Sequence, residues 1–168
     1  MVDTEFRKWG EGDDYAALTT LLHCAYRELA EQNLQFLATW QTEDTTRERV
    51  DTGETWVAVR GGRYVGTVTL YLPHQADGCE WYDRPEVASF GQFGVDPECR
   101  GEGIGRKLLE IIERRAKEEG AAELALDTAE PAVQLIATYA RHGYRFIQHV
   151  QWTGPNYRSV VLSKTLTG

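Results

Sequence analysis

The sequence predicts an α/β (α+β) fold built on a mixed sheet. Amphipathic helical patterns dominate residues 13–50, and short β-rich runs divided by a pair of adjacent glycines follow. After residue 87 the pattern alternates β-α-β-α-β-β, which places helices against a sheet rather than against each other. With 168 residues and 19.0 kDa, one domain over 1–168 with a core of its own is expected, not two independent ones.

Asp13-Asp14 can cap a first helix, whose apolar stripe is Leu18, Leu21, Leu22, Ala25 and Leu29. After the aromatic-bearing stretch Phe36 to Trp40, Thr42 to Val50 predicts a second, short helix. Trp56 to Val59 and Tyr64 to Leu72 flank Gly61-Gly62 as a β-hairpin with a tight glycine turn. Pro73 to Pro85 is a loop, and Val87 to Val95 a strand in which Gly91 and Gly94 predict a bulge or a close backbone approach. Asp96-Pro97 breaks that strand. The helix that follows buries Ile104, Leu108, Ile111, Ile112 and Ala116, carries Glu110–Arg114 and Glu113–Lys117 on its wet side, and stops at Gly120. Leu124 to Asp127 is a strand. Pro131 opens a helix with Val133, Ile136 and Ala140 on one stripe, ended by Gly143. Tyr144 to Trp152 and Ser159 to Leu166 close the chain as strands joined at Gly154-Pro155-Asn156.

Composition narrows the function classes. Eighteen Lys+Arg against 26 Asp+Glu give a net charge of −8, which opposes nucleic acid as the partner because phosphate neutralisation needs excess cations. Cys24, Cys79 and Cys99 are odd in number and widely spaced, so no disulfide framework is implied. No apolar run approaches the roughly 18 residues of a bilayer span, and the stretch Met1 to Glu5 lacks a signal-peptide pattern. A cytoplasmic location without membrane association is expected. His23, His74, His142 and His149 show no metal-ligand spacing, and Ser89 lies outside any GxSxG elbow.

The informative stretch is Val95 to Leu108. Gly101, Gly103 and Gly105 alternate into a helix start, where backbone N–H groups can approach a ligand unobstructed and the helix dipole favours an anion. Arg100, Arg106 and Lys107 oppose that dipole, and a bound phosphate gives them a reason to be there. A Walker A loop fails by one residue and by Leu108 in place of the hydroxyl. A dinucleotide fingerprint has Arg106 in place of its third glycine, with Asp127 as its ribose acid, and stays open as a nucleotide-dependent oxidoreductase.

The third option is Arg-x-x-Gly-x-Gly, carried by Arg100, Gly103 and Gly105. In its context of Gln92 to Pro97 before, Leu124 to Asp127 after, and Ala137 to Tyr144 beyond, it resembles the pyrophosphate motif of the GNAT superfamily of acyl-CoA-dependent N-acetyltransferases. One departure is Ala132, where many members carry Asn. The resemblance implies a GNAT-like single domain with a mixed, mostly antiparallel central sheet flanked by helices. It implies acetyl-CoA as cosubstrate, held by Phe93, Gly94, Val95, Arg100, Gly101, Glu102, Gly103, Ile104, Gly105 and Arg106, and no metal. The strand before the loop splays from its neighbour, and an amine attacks the thioester directly. Tyr139 matches the position of the acid that protonates the departing thiolate; from the pattern alone it is equally a packed aromatic i, i+4 to Leu135. The acceptor is a small-molecule or protein amine, and a homodimer is common in the superfamily. Phe36, Trp40, Trp81 and Tyr82 are candidates for the acceptor pocket. Glu80, Asp83 and Glu86 face it without any being assigned as base; with Asp77 they predict a preference for cationic amines. A noncatalytic acyl-CoA-binding module is the alternative within the same fold.

Overall fold

A computed structural model describes residues 3–166; Met1 and Val2, part of the N-terminal stretch read above, and residues 167–168 lie outside the described residues. The chain runs β1 (Glu5–Lys8), α1 (Tyr15–Glu31), α2 (Leu37–Trp40), α3 (Glu43–Thr52), β2 (Glu54–Arg60), β3 (Arg63–Tyr71), β4 (Val87–Val95), α4 (Ile104–Glu118), β5 (Glu123–Ala129), α5 (Val133–Arg141), β6 (Arg145–Val150) and β7 (Ser159–Thr165). The strands form one seven-stranded sheet in the order β1-β2-β3-β4-β5-β7-β6. Every neighbouring pair is antiparallel except β4–β5, so the sheet is mixed and mostly antiparallel as expected.

Local chemistry explains most boundaries. The Asp14 carboxylate accepts the N–H groups of Ala16 and Ala17 and starts α1, which buries Leu18, Leu21, Leu22 and Ala25. Thr42 caps α3 through the Thr45 N–H. Gly61 and Gly62 both take positive φ, 57° and 75°, which is what a two-residue turn between right-twisted strands requires. β1 was not foreseen: Glu-Phe-Arg-Lys is too short and polar to show a period, and only pairing with β2 makes it a strand.

α4 packs its foreseen apolar face on the sheet over Gly66, where an added Cβ would stand 2.8 Å from Ile104 Cγ2. Two details differ from expectation. Glu113 is not on the wet side but turns inward, accepting from the Tyr144 hydroxyl (2.8 Å) and the Lys164 ammonium (3.1 Å). In α5, Val133 is 67% exposed and Ala140 exposed, and the packed face is Leu135, Ile136 and Tyr139. Ala132, not Pro131, precedes the first turn, so the stripe is rotated relative to the sequence reading.

α4 and α5 share one apolar cluster with Val68, Leu70, Phe90, Leu124 and Leu126; α1, α2 and α3 share another with Val57. The two helical layers therefore sandwich the sheet. At its middle the single parallel pair is brief: β4 and β5 register only at Val87–Glu123, Ala88–Leu124 and Ser89–Ala125. β4 also bulges by one residue, since Thr69 faces Gly91 while Thr67 faces Gly94. The left-handed residue is Gln92 (φ 49°) rather than either glycine. Its side chain is fixed there, accepting from Gln41 Nε2 (2.6 Å) and donating to Thr69 Oγ1 (3.1 Å), which offsets the roughly 1–2 kcal/mol that αL costs.

Candidate active site

Beyond Ser89 and Ala125 the two parallel strands part, and the gap is the floor of a cavity of about 1130 Å³. That exceeds the roughly 300–1,000 Å³ of an ordinary small-ligand site, so two reactants fit in it. Past Ser89, residues 90–95 of β4 line it on one side, and Leu126, Asp127 and Thr128 on the other.

At one end lies the turn into α4. Of the ten residues assigned from sequence to the cosubstrate, Phe93, Gly94, Val95 and Arg100 line the cavity itself. Gly101, Glu102, Gly103, Ile104, Gly105 and Arg106 continue directly from Arg100 and do not line it. Gly101 and Gly103 both have φ of 83°, and nothing stands within 4 Å of where their Cβ atoms would be. Gly103 caps α4 without a side-chain hydrogen bond, and the first helical bond runs from Lys107 N–H to the Gly103 carbonyl. The amides of Ile104, Gly105 and Arg106 therefore have no intrahelical acceptor, as at any helix start. An open glycine turn leading to free amides fits a diphosphate. The side chains take other roles: Ile104 is buried, Glu102 pairs with Arg60 (2.7 Å), and Arg106 lies near Glu110 (3.5 Å). Arg100 is tied to α1 by Glu28 (2.7 Å) and the Ala25 carbonyl (3.3 Å). Gly94 serves helix packing, because a Cβ there would lie 2.8 Å from Ala25 Cβ.

Tyr139 reaches the slot from α5. Its ring packs against Phe90, Phe93 and Tyr144 at centroid distances of 6.2, 6.4 and 6.0 Å, so the packed-aromatic reading is correct as far as it goes. Its hydroxyl, however, has no hydrogen-bond partner among the described residues and belongs to the cavity wall. Burial pushes its pKa up, so it carries its proton at neutral pH. Tyr26 lies close by, donates to the Phe93 carbonyl (2.8 Å), and is itself pushed up to about 12 by burial.

The opposite face of the slot differs from the sequence reading. Asp127 lines the cavity, and its two carboxylate oxygens accept from the Tyr82 hydroxyl (2.7 Å) and Trp152 Nε1 (3.0 Å). Burial raises its pKa, against the lowering effect of those two donors. It is therefore engaged inside the slot rather than at the edge of a ribose site. The 73–86 segment closes over it because Gly78 (φ 102°) leaves room for the Trp152 ring, 2.7 Å from where a Cβ would be. Phe36, Trp40 and Tyr82 line the cavity as expected; Trp81 does not, packing instead against the buried cluster of Cys79, Tyr82, Val87, Ala125 and Val161. Asp77, Glu80, Asp83 and Glu86 also lie off the cavity wall, so the charge that was expected to select cationic amines is outside it.

Arg49, from α3, lines the same face and was not singled out in the sequence. The signal was available: it follows buried Thr46 by three and precedes buried Val50, which puts it on the inward side of a polar helix. Asp127 was named only as the ribose acid of the dinucleotide alternative. Its place in the slot could have been suspected from its being the one acid after Glu123 in a strand of small and apolar residues.

A model of the acetyltransferase (GNAT) family matches residues 15–144. The chain is 28% identical over 136 residues to the S-(2-succino)cysteine N-acetyltransferase of Bacillus subtilis, covering 78% of each chain. It is 25% identical over 136 residues to the S-alkylcysteine N-acetyltransferase of the same organism, covering 79% of this chain and 74% of that one. The solved ribosomal-protein-S18-alanine N-acetyltransferase of Escherichia coli superposes with a TM-score of 0.74 over 99% of this chain and 96% of that one, at 15% identity.

Proposed function

The chain belongs to the acetyltransferase (GNAT) family, and from that premise we propose that it moves the acetyl group of acetyl-CoA to the primary amine of a small acceptor by direct attack, with Tyr139 as general acid. S-substituted cysteines are the first acceptors to try, because two of its relatives are named for them. The observation that carries this reading is Tyr139 in the wall of the slot between β4 and β5, its hydroxyl without a hydrogen-bond partner among the described residues.

Bound acetyl-CoA supplies an acetyl thioester, and the protein supplies position and protons. The Gly101–Arg106 turn offers amides to the diphosphate, and the stretch of β4 that β5 leaves unpaired offers backbone groups to an extended arm. Tyr139 donates its phenolic proton to the sulfur as the C–S bond breaks. A free thiol at roughly 8.5 and a phenol at roughly 10 make that transfer uphill in water. Burial disfavours a tyrosinate and an unprotonated thiolate alike, so the transfer rests on the hydroxyl being placed to give its proton as the C–S bond breaks, not on a more acidic phenol. Asp127, on the other face, presents a carboxylate to the side from which the amine arrives.

The test is release of free thiol from acetyl-CoA with a panel of primary amines. Amine-dependent release is the expected result. Thermal stabilisation by acetyl-CoA with no amine-dependent release would instead make the protein a noncatalytic acyl-CoA-binding module.

A further inference from the structure

The acceptor face of the slot holds one cation and one anion that do not touch each other. Arg49 Nη1 donates to Gln41 Oε1 (2.8 Å), and Gln41 is itself buried and fixed by donating to Gln92 Oε1 (2.6 Å) and Thr46 Oγ1 (2.8 Å). The guanidinium is thus aimed by a rigid amide network rather than free to swing. Its Nη2 lies 3.0 Å from where a Cβ on residue 91 would stand, so Gly91 is what makes room for it. No carboxylate of the described residues lies within ion-pair distance of Arg49, although most other arginines of the chain have one. A half-buried guanidinium held at one nitrogen and open at the other is set to take an anion in hydrogen-bonding geometry.

We propose that Arg49 and Asp127 together recognise a free α-amino acid, Arg49 taking its α-carboxylate and Asp127 facing its ammonium group. This rests on the acetyl-transfer reading for the fate of the amine. The acceptor's side chain then runs toward Leu37 and Trp40, which line the cavity yet are 52% and 54% exposed, an apolar mouth suited to a thioether or alkyl substituent. The inference reverses the preference suggested by net charge. A carboxylate on the acceptor is an advantage in this slot, because the acidic residues of the 73–86 segment stand outside it.

The experiment compares S-ethyl-L-cysteine with 2-(ethylthio)ethanamine, the same molecule without its carboxylate. Wild type is expected to favour the amino acid by about 10- to 100-fold in kcat/KM, the range for one charge-assisted contact. Arg49→Gln is expected to erase most of that ratio, Arg49→Lys to restore part of it, and Asp127→Asn to lower both acceptors while keeping the ratio. A structural role for Arg49 would depress the two acceptors equally and leave the ratio intact, which overturns the proposal; so does a wild type that prefers the plain amine. Should neither compound release thiol, acetyl transfer to these amines fails while the anion site remains decidable. Quenching of tryptophan fluorescence by S-ethyl-L-cysteine, weakened at least tenfold in Arg49→Gln, then supports the site, and no quenching overturns it.

Discussion

Tyr139 can be a core aromatic and a proton donor at once, because its ring and its hydroxyl have different surroundings. The ring is held by Phe90, Phe93 and Tyr144, while the hydroxyl has no hydrogen-bond partner among the described residues. Tyr139→Phe therefore removes no protein hydrogen bond, and its cost in stability should be below about 1 kcal/mol, where loss of a buried partner would cost about 1–3 kcal/mol. Loss of a general acid lowers rate by about 10²–10⁴-fold. The effect should fall on kcat, with KM for acetyl-CoA little changed, because the contact forms only as the bond breaks. Steady-state kinetics and a melting curve on the Phe variant check both halves; a wild-type kcat removes Tyr139 from the chemistry.

The start of α4 joins local backbone geometry to binding. Gly103 sits at φ 83° with empty space beyond it, so a β-branched side chain there meets no neighbour but must adopt a left-handed backbone. At Gly105 the constraint differs: a Cβ would come 3.3 Å from Phe93 Cζ, which a small ring movement relieves. Gly105→Val is expected to fold and Gly103→Val to fold with a loss of about 1–2 kcal/mol from the αL penalty. In both, the rise in Tm given by acetyl-CoA to wild type should vanish, since the side chains occupy the approach to the free amides. Folded variants that bind acetyl-CoA with unchanged affinity would show that this turn is not the diphosphate site.

Across the whole molecule, stability in acid depends on carboxylates that tie the sheet to its helices. Asp13 accepts from Arg7 Nη1 and Nη2 (2.8 and 2.7 Å), the Tyr64 hydroxyl (2.6 Å) and the Gly10 amide (2.8 Å), joining β1, β3 and the start of α1. The Arg7 hydrogen bond is the main reason its pKa lies well below the usual carboxylate range. Glu54 of β2 is likewise lowered by Arg115 of α4 (2.9 and 3.0 Å). A depressed folded pKa gives stability that is complete above the unfolded carboxylate value of about 4 and is lost as pH falls through the folded value. Tm should therefore hold near neutrality and fall on acidification below about pH 4. Asp13→Asn should cost about 1–3 kcal/mol at neutral pH and make that acid limb shallower. Parallel acid limbs in the two proteins would mean Asp13 is not part of the cause.

The sequence by itself determined the elements whose signals are local. Asp14 and Thr42 as caps, Gly61-Gly62 as a hairpin turn, the apolar stripe of α4 and the glycine turn before it are each dictated within a few residues. The order of those elements, with the Arg100–Gly105 spacing, was enough to identify the family. Tertiary structure decided whatever depends on partners distant in the chain. β1 exists because β2 offers it hydrogen bonds, and Glu113 turns inward because Tyr144 and Lys164 meet it. The acceptor face shows this most plainly, since Asp127 is met there by Tyr82 from 45 residues earlier and Trp152 from 25 later, while Arg49 finds its space at Gly91. A side chain's charge is written in the sequence, but whether it is solvated, paired or aimed into a slot depends on dielectric and distance, which only the folded chain sets.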